Sequence, residues 1–171
     1  MRVSHFAASL MMVAASCTMP LGQPASNASS AYPSADAFEA TESRIFDLIN
    51  AQRQGAGLAP LVYNAQLDRM AKIQSVQMAE FQKMAHVLPG AELPTLTDRA
   101  QRVGYAYGRI AENVALGYPT AESVVDGWMA SKGHRANILN REVVETGIGI
   151  ARSKAGGLYY CQVFGRRLTA L

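Results

Sequence analysis

Three histidines occur in the 171 residues, and His5 falls in a segment that reads as an export signal, which leaves His86 and His134. Joined by Glu112, they make a two-histidine, one-carboxylate set. Such a set suits a Zn²⁺ ion with one open coordination position, or a proton-transfer site, provided the fold brings the three together. They stand on separate elements, not in a local pattern such as His-Glu-x-x-His, so spacing leaves both readings open. A third reading also stands: isolated histidines, and a glutamate that only accepts backbone N–H groups at a turn. No nucleophile motif accompanies them. There is no Gly-x-Ser-x-Gly, and Cys161 falls in a strand pattern rather than beside a base.

The elements that must position these groups follow from caps and periodicity. Thr120 is suited to N-cap a helix, with Glu122 in the first turn where the helix dipole favours an acid. Val124, Val125, Trp128 and Met129 give that helix an apolar face, and Gly133 is expected to end it. His134 is therefore expected just beyond a helix end, where it or Arg135 is placed to donate to free carbonyls. Upstream, Thr41 is expected to cap a helix with Ile45, Leu48 and Ile49 inward, broken by Gly55-Ala56-Gly57. A second helix begins after Asn64 with Leu67, Met70, Ala71, Gln74, Met78 and Phe81 on one face, and His86 follows it. A short helix over 97–103 ends at Gly104, ahead of Tyr105 and Tyr107, read as exposed residues at the rim of a cleft. Further on, Thr146, Ile148 and Ile150 alternate with Gly147, Gly149 and Ala151, a strand with one nearly bare face on which a helix can pack closely. A loop over 154–157 and a returning strand over 158–164 complete a hairpin. Helices before strands give an α+β domain with a small, largely antiparallel sheet.

At 49% hydrophobic and 17% charged, the chain suits one ordinary core. Arg2, the apolar run over 6–15 and the small residues after it read as a signal peptide over 1–16. Ala14-Ala15-Ser16-Cys17 resembles a bacterial lipobox, so Cys17 is expected to carry lipid as the mature N-terminus. Residues 17–38 then form the lipidated N-terminus and a Pro-, Ser- and Ala-rich tether, and 39–171 the folded domain. Without Arg2, Lys plus Arg falls from 16 to 15 against 13 acids, a net charge of +2. Arg166-Arg167 is the longest basic run in the folded part and has no interleaved aromatic platform, which argues against a nucleic-acid partner. Cys161 is read as a small buried hydrophobe.

An ordered series of motifs carries a resemblance. Asn50-x-x-Arg53, Gly57-Leu-Ala-Pro-Leu61, His86 after a Met-rich helix, Ala111-Glu-Asn-Val-Ala115, Trp128-Met-Ala-Ser-Lys-Gly-His-Arg-Ala-Asn-Ile-Leu139, Glu145-Thr-Gly-Ile-Gly-Ile150 and Tyr159-Tyr-Cys-Gln-Val-Phe-Gly165 occur in that order. The chain resembles the bacterial branch of the CAP superfamily, or SCP domain, across about residues 41–165. The resemblance implies a three-layer α-β-α sandwich. It also implies a cavity collecting histidines and acids, to which His86, Glu112, His134 and Glu145 correspond, and which in some members holds a divalent cation. His86 and His134 are thus the metal candidates, for Zn²⁺ or Mg²⁺. Two family positions differ here: Glu142 replaces a second cavity histidine, and Ser131 stands where a glutamate is usual.

By its N-terminal segment the chain is expected to be an exported envelope protein, periplasmic or at the cell surface, held at a membrane through its lipid anchor (the outer membrane in a Gram-negative cell), and the resemblance implies what it does there. Its expected role is a binding module for a hydrophobic small molecule such as a lipid, a cell-wall polymer or a protein partner. Two alternatives remain: a hydrolase in which the histidine and glutamate cavity activates water, and a structural spacer.

Overall fold

The computed structural model describes residues 35–168. The signal peptide over 1–16, the lipidation site Cys17 and most of the tether lie outside the described residues.

Among the described residues nine elements follow in order: α1 (Ala35–Gly55), β1 (Val62–Tyr63), α2 (Ala65–Glu80), α3 (Leu96–Val103), β2 (Tyr107–Leu116), α4 (Ala121–Ala130), α5 (Lys132–Ile138), β3 (Glu145–Arg152) and β4 (Leu158–Arg167). The strands make one sheet in the order β1-β3-β4-β2. β1 runs parallel to β3, and the two longer pairings are antiparallel. Side chains alternate between the two faces of a strand, so the register sorts the sheet into two sides. Glu112, Val114, Cys161, Val163, Gly147 and Gly149 share one side, under α2 and α3. Asn113, Ala115, Tyr160, Phe164, Ile148 and Ile150 share the other, under α1, α4 and α5. Each side has its own core. Leu67, Met70, Met78, Leu88 and Cys161 anchor one, and Ile45, Ile49, Val124, Trp128 and Phe164 the other. The result is the expected α+β architecture of three layers.

The bare face of β3 has the consequence its composition suggests. A Cβ on Gly147 would overlap the backbone of Leu67 and Asp68, and one on Gly149 the backbone of Ala71 and Lys72. The two glycines let α2 lie directly on the sheet. Local signals set the helix ends: Asn64 Oδ1 accepts from the N–H groups of Gln66 and Leu67. Thr95 and Asp98 form a reciprocal capping box, and Gly104, at φ 70, closes α3. Thr120 caps α4, with Ser123 returning the bond.

Five expectations are corrected. α1 starts at Ala35, so Thr41 lies inside it rather than capping it; Ala35, Asp36 and Ala37 are acceptable helix residues, and Phe38 packs against the core. Phe81 is the C-cap of α2 and is 47% exposed, because the helix ends before its side chain can turn inward. Gly133 does not end α4: the extended backbone of Ser131 does, and Gly133 and His134 both lie in α5. The stretch around Glu112, for which a turn is one of the open readings, is a ten-residue strand. Tyr105 is 2% exposed, its hydroxyl donating to Glu145 Oε2 at 2.6 Å.

Two side chains stitch the loops. Arg53, buried, donates from Nε to Ala59 O at 2.9 Å and from Nη1 to Ile138 O and Asn140 O at 2.7 and 2.9 Å. Asn50 exchanges bonds with the backbone of Leu61. Asn137 reaches from α5 to the open edge of the sheet, where its Nδ2 donates to Glu112 O at 3.2 Å and to Asn113 Oδ1 at 2.9 Å. A helix thereby covers an edge that would otherwise offer free acceptors.

Candidate functional site

His86 lies on the segment between α2 and α3, and that segment is tied down on both sides of it. Gln74 Nε2 donates to Ala85 O at 2.6 Å, Lys83 N to Met78 O at 3.0 Å, and Leu88 N to Pro94 O at 3.1 Å with the Leu88 side chain buried. The imidazole is thus set over β2, with Nδ1 2.9 Å from Glu112 Oε1. An ionised carboxylate can only accept, so Nδ1 carries the proton and donates. The imidazole remains 56% exposed, while the Glu112 side chain is 3% exposed.

Glu112 is held from below by a cation. Arg99 Nη2 donates to Glu112 Oε2 at 2.5 Å, and Arg99 is fully buried. Its Nη1 donates to Gln74 Oε1 at 2.5 Å, so the side chain that anchors the His86 segment also aims the guanidinium. The Cys161 thiol is 3.5 Å from Glu112 Oε2 and donates weakly to it. Burial, and then the charge of Glu112, push the Cys161 thiol well above its ordinary range, so it stays protonated. It is a free cysteine within the core, as its strand pattern suggests.

The hydrogen bond to Glu112 raises the His86 imidazole above its ordinary value, against burial and the Arg99 charge, which both pull it down. His134, third residue of α5 and partly buried, moves the opposite way: burial first, then the charge of His86, lower it. His86 and Glu112 therefore touch, and His134 lies within range of the His86 charge. Glu145 does not join them. It stands two strands away on β3, bonded to Tyr105 and to Asn64 Nδ2 at 2.9 Å, with Arg167 Nε at 3.6 Å. Glu142 pairs with Arg109 at the surface. Asn113 Nδ2 donates to His134 O at 3.2 Å and fixes the backbone that carries that histidine.

The model of the CAP family, the cysteine-rich secretory protein family, matches residues 46–164. The chain belongs to that family. It is 35% identical to the Bacillus subtilis protein YkwD over 127 residues, 74% of this chain and 48% of that one. It is 32% identical to the B. subtilis membrane protein YlbC over 127 residues, 74% of this chain and 35% of that one. Among solved structures, an extracellular SCP-domain protein from Bacillus anthracis superposes with a TM-score of 0.71 at 29% identity, covering 81% of this chain and 45% of that one. The chain spans about half or less of the length of these relatives.

The residues of this CAP domain do not make a ready cation site. Both Glu112 oxygens are engaged, one by the buried Arg99 guanidinium. Among the described residues, no group of three or more His, Cys, Asp or Glu side chains converges as a metal-holding set. Arg99, Gln74 and Gln77 are the members that sequence reasoning missed. Gln77 Nε2 and Oε1 both bond the backbone of Leu93, the residue whose carbonyl also faces Arg99. The available signal was Arg99 itself: it shares a helical face with Leu96, Ala100 and Val103, where a charge needs a buried partner. No helix of the described residues is long and apolar enough to cross a membrane.

Proposed function

We propose that this CAP domain is an exported envelope module, lipid-anchored through Cys17, that binds an anionic or acceptor-rich envelope polymer at His86. The observation that carries the reading is the use of Glu112: its two oxygens are taken by Arg99 and Nδ1 of His86. Glu112 can neutralise only one of its two cationic neighbours. With His86 protonated the cluster carries a surplus positive charge, and the ring nitrogen not bonded to Glu112 is free to donate outward. In that protonated form the ring fits phosphate and carboxylate groups and does not fit a divalent cation. The extracellular B. anthracis relative supports an exported location, as does the export-type N-terminus. The test is a binding titration at pH 6 with a soluble polyglycerol phosphate, against wild type and His86→Ala. Saturable binding lost in the variant supports the reading. Equal binding by both places any contact elsewhere.

One observation favours a second reading, hydrolysis. A carboxylate bonded to Nδ1 orients an imidazole so that its other nitrogen, when unprotonated, can take a proton from water. Turnover of an ester or glycan probe that rises with pH through the His86 titration, and that His86→Ala abolishes, would establish it.

A further inference from the structure

β1 contributes only two residues to the sheet. Val62 N donates to Val144 O and Asn64 N to Thr146 O, both at 2.9 Å, and the chain then leaves the edge to begin α2. β3 runs on to Arg152, so from Gly147 onward this edge has no strand beside it among the described residues. Further along, the carboxylate of Glu42 from α1 takes its place, with Oε1 accepting from Ile150 N at 3.0 Å. The backbone groups of Thr146 and Ile150 thus both face outward. By the two-residue period of a strand, those of Ile148 between them face the same way.

A pocket of about 400 Å³ opens at that point, within the size range of small-ligand sites. Gly147 and Ile148 form its back, and Phe46 and Tyr63 give it apolar walls. Its charged wall holds three carboxylates, Glu39, Glu42 and Asp68, against one ammonium, Lys72. Lys72 is already shared, 3.1 Å from Asp68 Oδ2 and 3.5 Å from Glu42 Oε2, and it is 44% exposed. The balance of the wall is negative. Glu42 is largely buried, and burial raises its carboxyl above the ordinary range, a cost that a neighbouring cation relieves.

The geometry points to a second binding site, in which a short extended peptide carrying an ammonium or guanidinium group lies along β3 beside β1's vacated line. Its backbone would pair with Ile148, as an added strand does at an open sheet edge, and its cation would sit against Glu39, Glu42 and Asp68. This site is formed by α1, β1, α2 and β3, and shares no residue with the His86 cluster. It therefore stands or falls independently of the polymer reading.

The probe is acetyl-Ala-Lys-Ala amide, titrated into ¹⁵N-labelled protein. Two comparison peptides accompany it: the Ala-Glu-Ala counterpart, and the lysine peptide N-methylated at its backbone amides. The expected result is saturable shifts of the Gly147, Ile148 and Tyr63 amides with the lysine peptide alone. Glu39→Lys and Ser43→Tyr change exposed pocket residues, and retained amide dispersion checks their fold. Each is expected to weaken binding about fivefold or more, from charge reversal and from filling the pocket. The inference is overturned by any of three results: no shifts at millimolar peptide, shifts centred on β2 and His86, or equal affinity for the acidic or N-methylated peptide or for the two variants.

Discussion

The guanidinium of Arg99 and the carboxylate of Glu112 meet inside the protein, Nη2 to Oε2 at 2.5 Å, with neither side chain more than 3% exposed. Taking both charges out of water is costly, and the bond between them offsets the cost only while both are present. The pair therefore makes the one buried carboxylate of β2 a fixed acceptor, and His86 is what that acceptor presents at the surface.

Removing one member should be worse than removing both. Arg99→Met leaves Glu112 buried without its cation and is expected to lose about 3–5 kcal/mol, whereas Arg99→Met with Glu112→Leu recovers much of that loss. Denaturant unfolding of the two single variants and the double variant measures the coupling. Additive losses would remove the pair from the account.

The approach of α2 to the sheet predicts a sharp contrast among glycines. Gly147→Ala or Gly149→Ala must push the α2 backbone off β3, an overpacking that costs about 1–3 kcal/mol or prevents folding. Gly133→Ala adds a methyl that meets nothing within 4 Å beyond the backbone of its own helix, α5, and its chain neighbours, and is expected to be neutral or to stabilise by about 0.5–1 kcal/mol. Thermal melts of the three variants decide it.

How far the sequence shows this arrangement depends on the residue. Asn64 and Thr120 mark helix starts because their side chains complete N–H groups that nothing else reaches. Gly147 and Gly149 show the packed face of β3 because nothing larger fits there. β2 hides, since Ala111, Glu112, Asn113, Val114 and Ala115 are buried or half-buried on both faces, and two polar residues in that run erase the period-two signal. α5 hides because Gly133 reads as a stop, although a helix restarts once Ser131 has turned the chain. His86 and Glu112 are visible as chemical types. Their contact is not, because it depends on Gln74 tying Ala85 in place and on Arg99, whose charge reads as surface until the helical face is drawn.

Arg53 should be a structural residue in the strict sense. It satisfies the carbonyls of Ala59, Ile138 and Asn140, so Arg53→Ala is expected to cost about 3 kcal/mol, with the loops around those residues showing the largest rise in hydrogen exchange. Exchange that rises evenly across the domain would contradict that local role.

The stability that His86 contributes should fall with rising pH, while His134, held below its ordinary value, contributes in the opposite sense. The folded protein holds the His86 imidazole above its ordinary 6.5, so the contribution is full below that value and is lost as pH climbs through the folded-state pKa. Solvent at the half-exposed ring screens it, so the change is modest. The melting temperature of wild type should exceed that of His86→Ala most below pH 6.5, with the gap closing above it. A gap that widens with pH would mean the neutral ring is the stabilising form.

The central claim, that Glu112 holds His86 as an outward-facing donor, is tested most directly by ¹H–¹⁵N NMR of the imidazole across a pH titration. The account predicts a His86 pKa above 6.5 with Nδ1 protonated, falling in Glu112→Gln, and a His134 pKa below 6.5. It also predicts that an equimolar Zn²⁺ addition leaves the His86 resonances in place. A His86 pKa below 6.5, or stoichiometric loss of its resonances on adding Zn²⁺, would contradict the account and return the site to a cation.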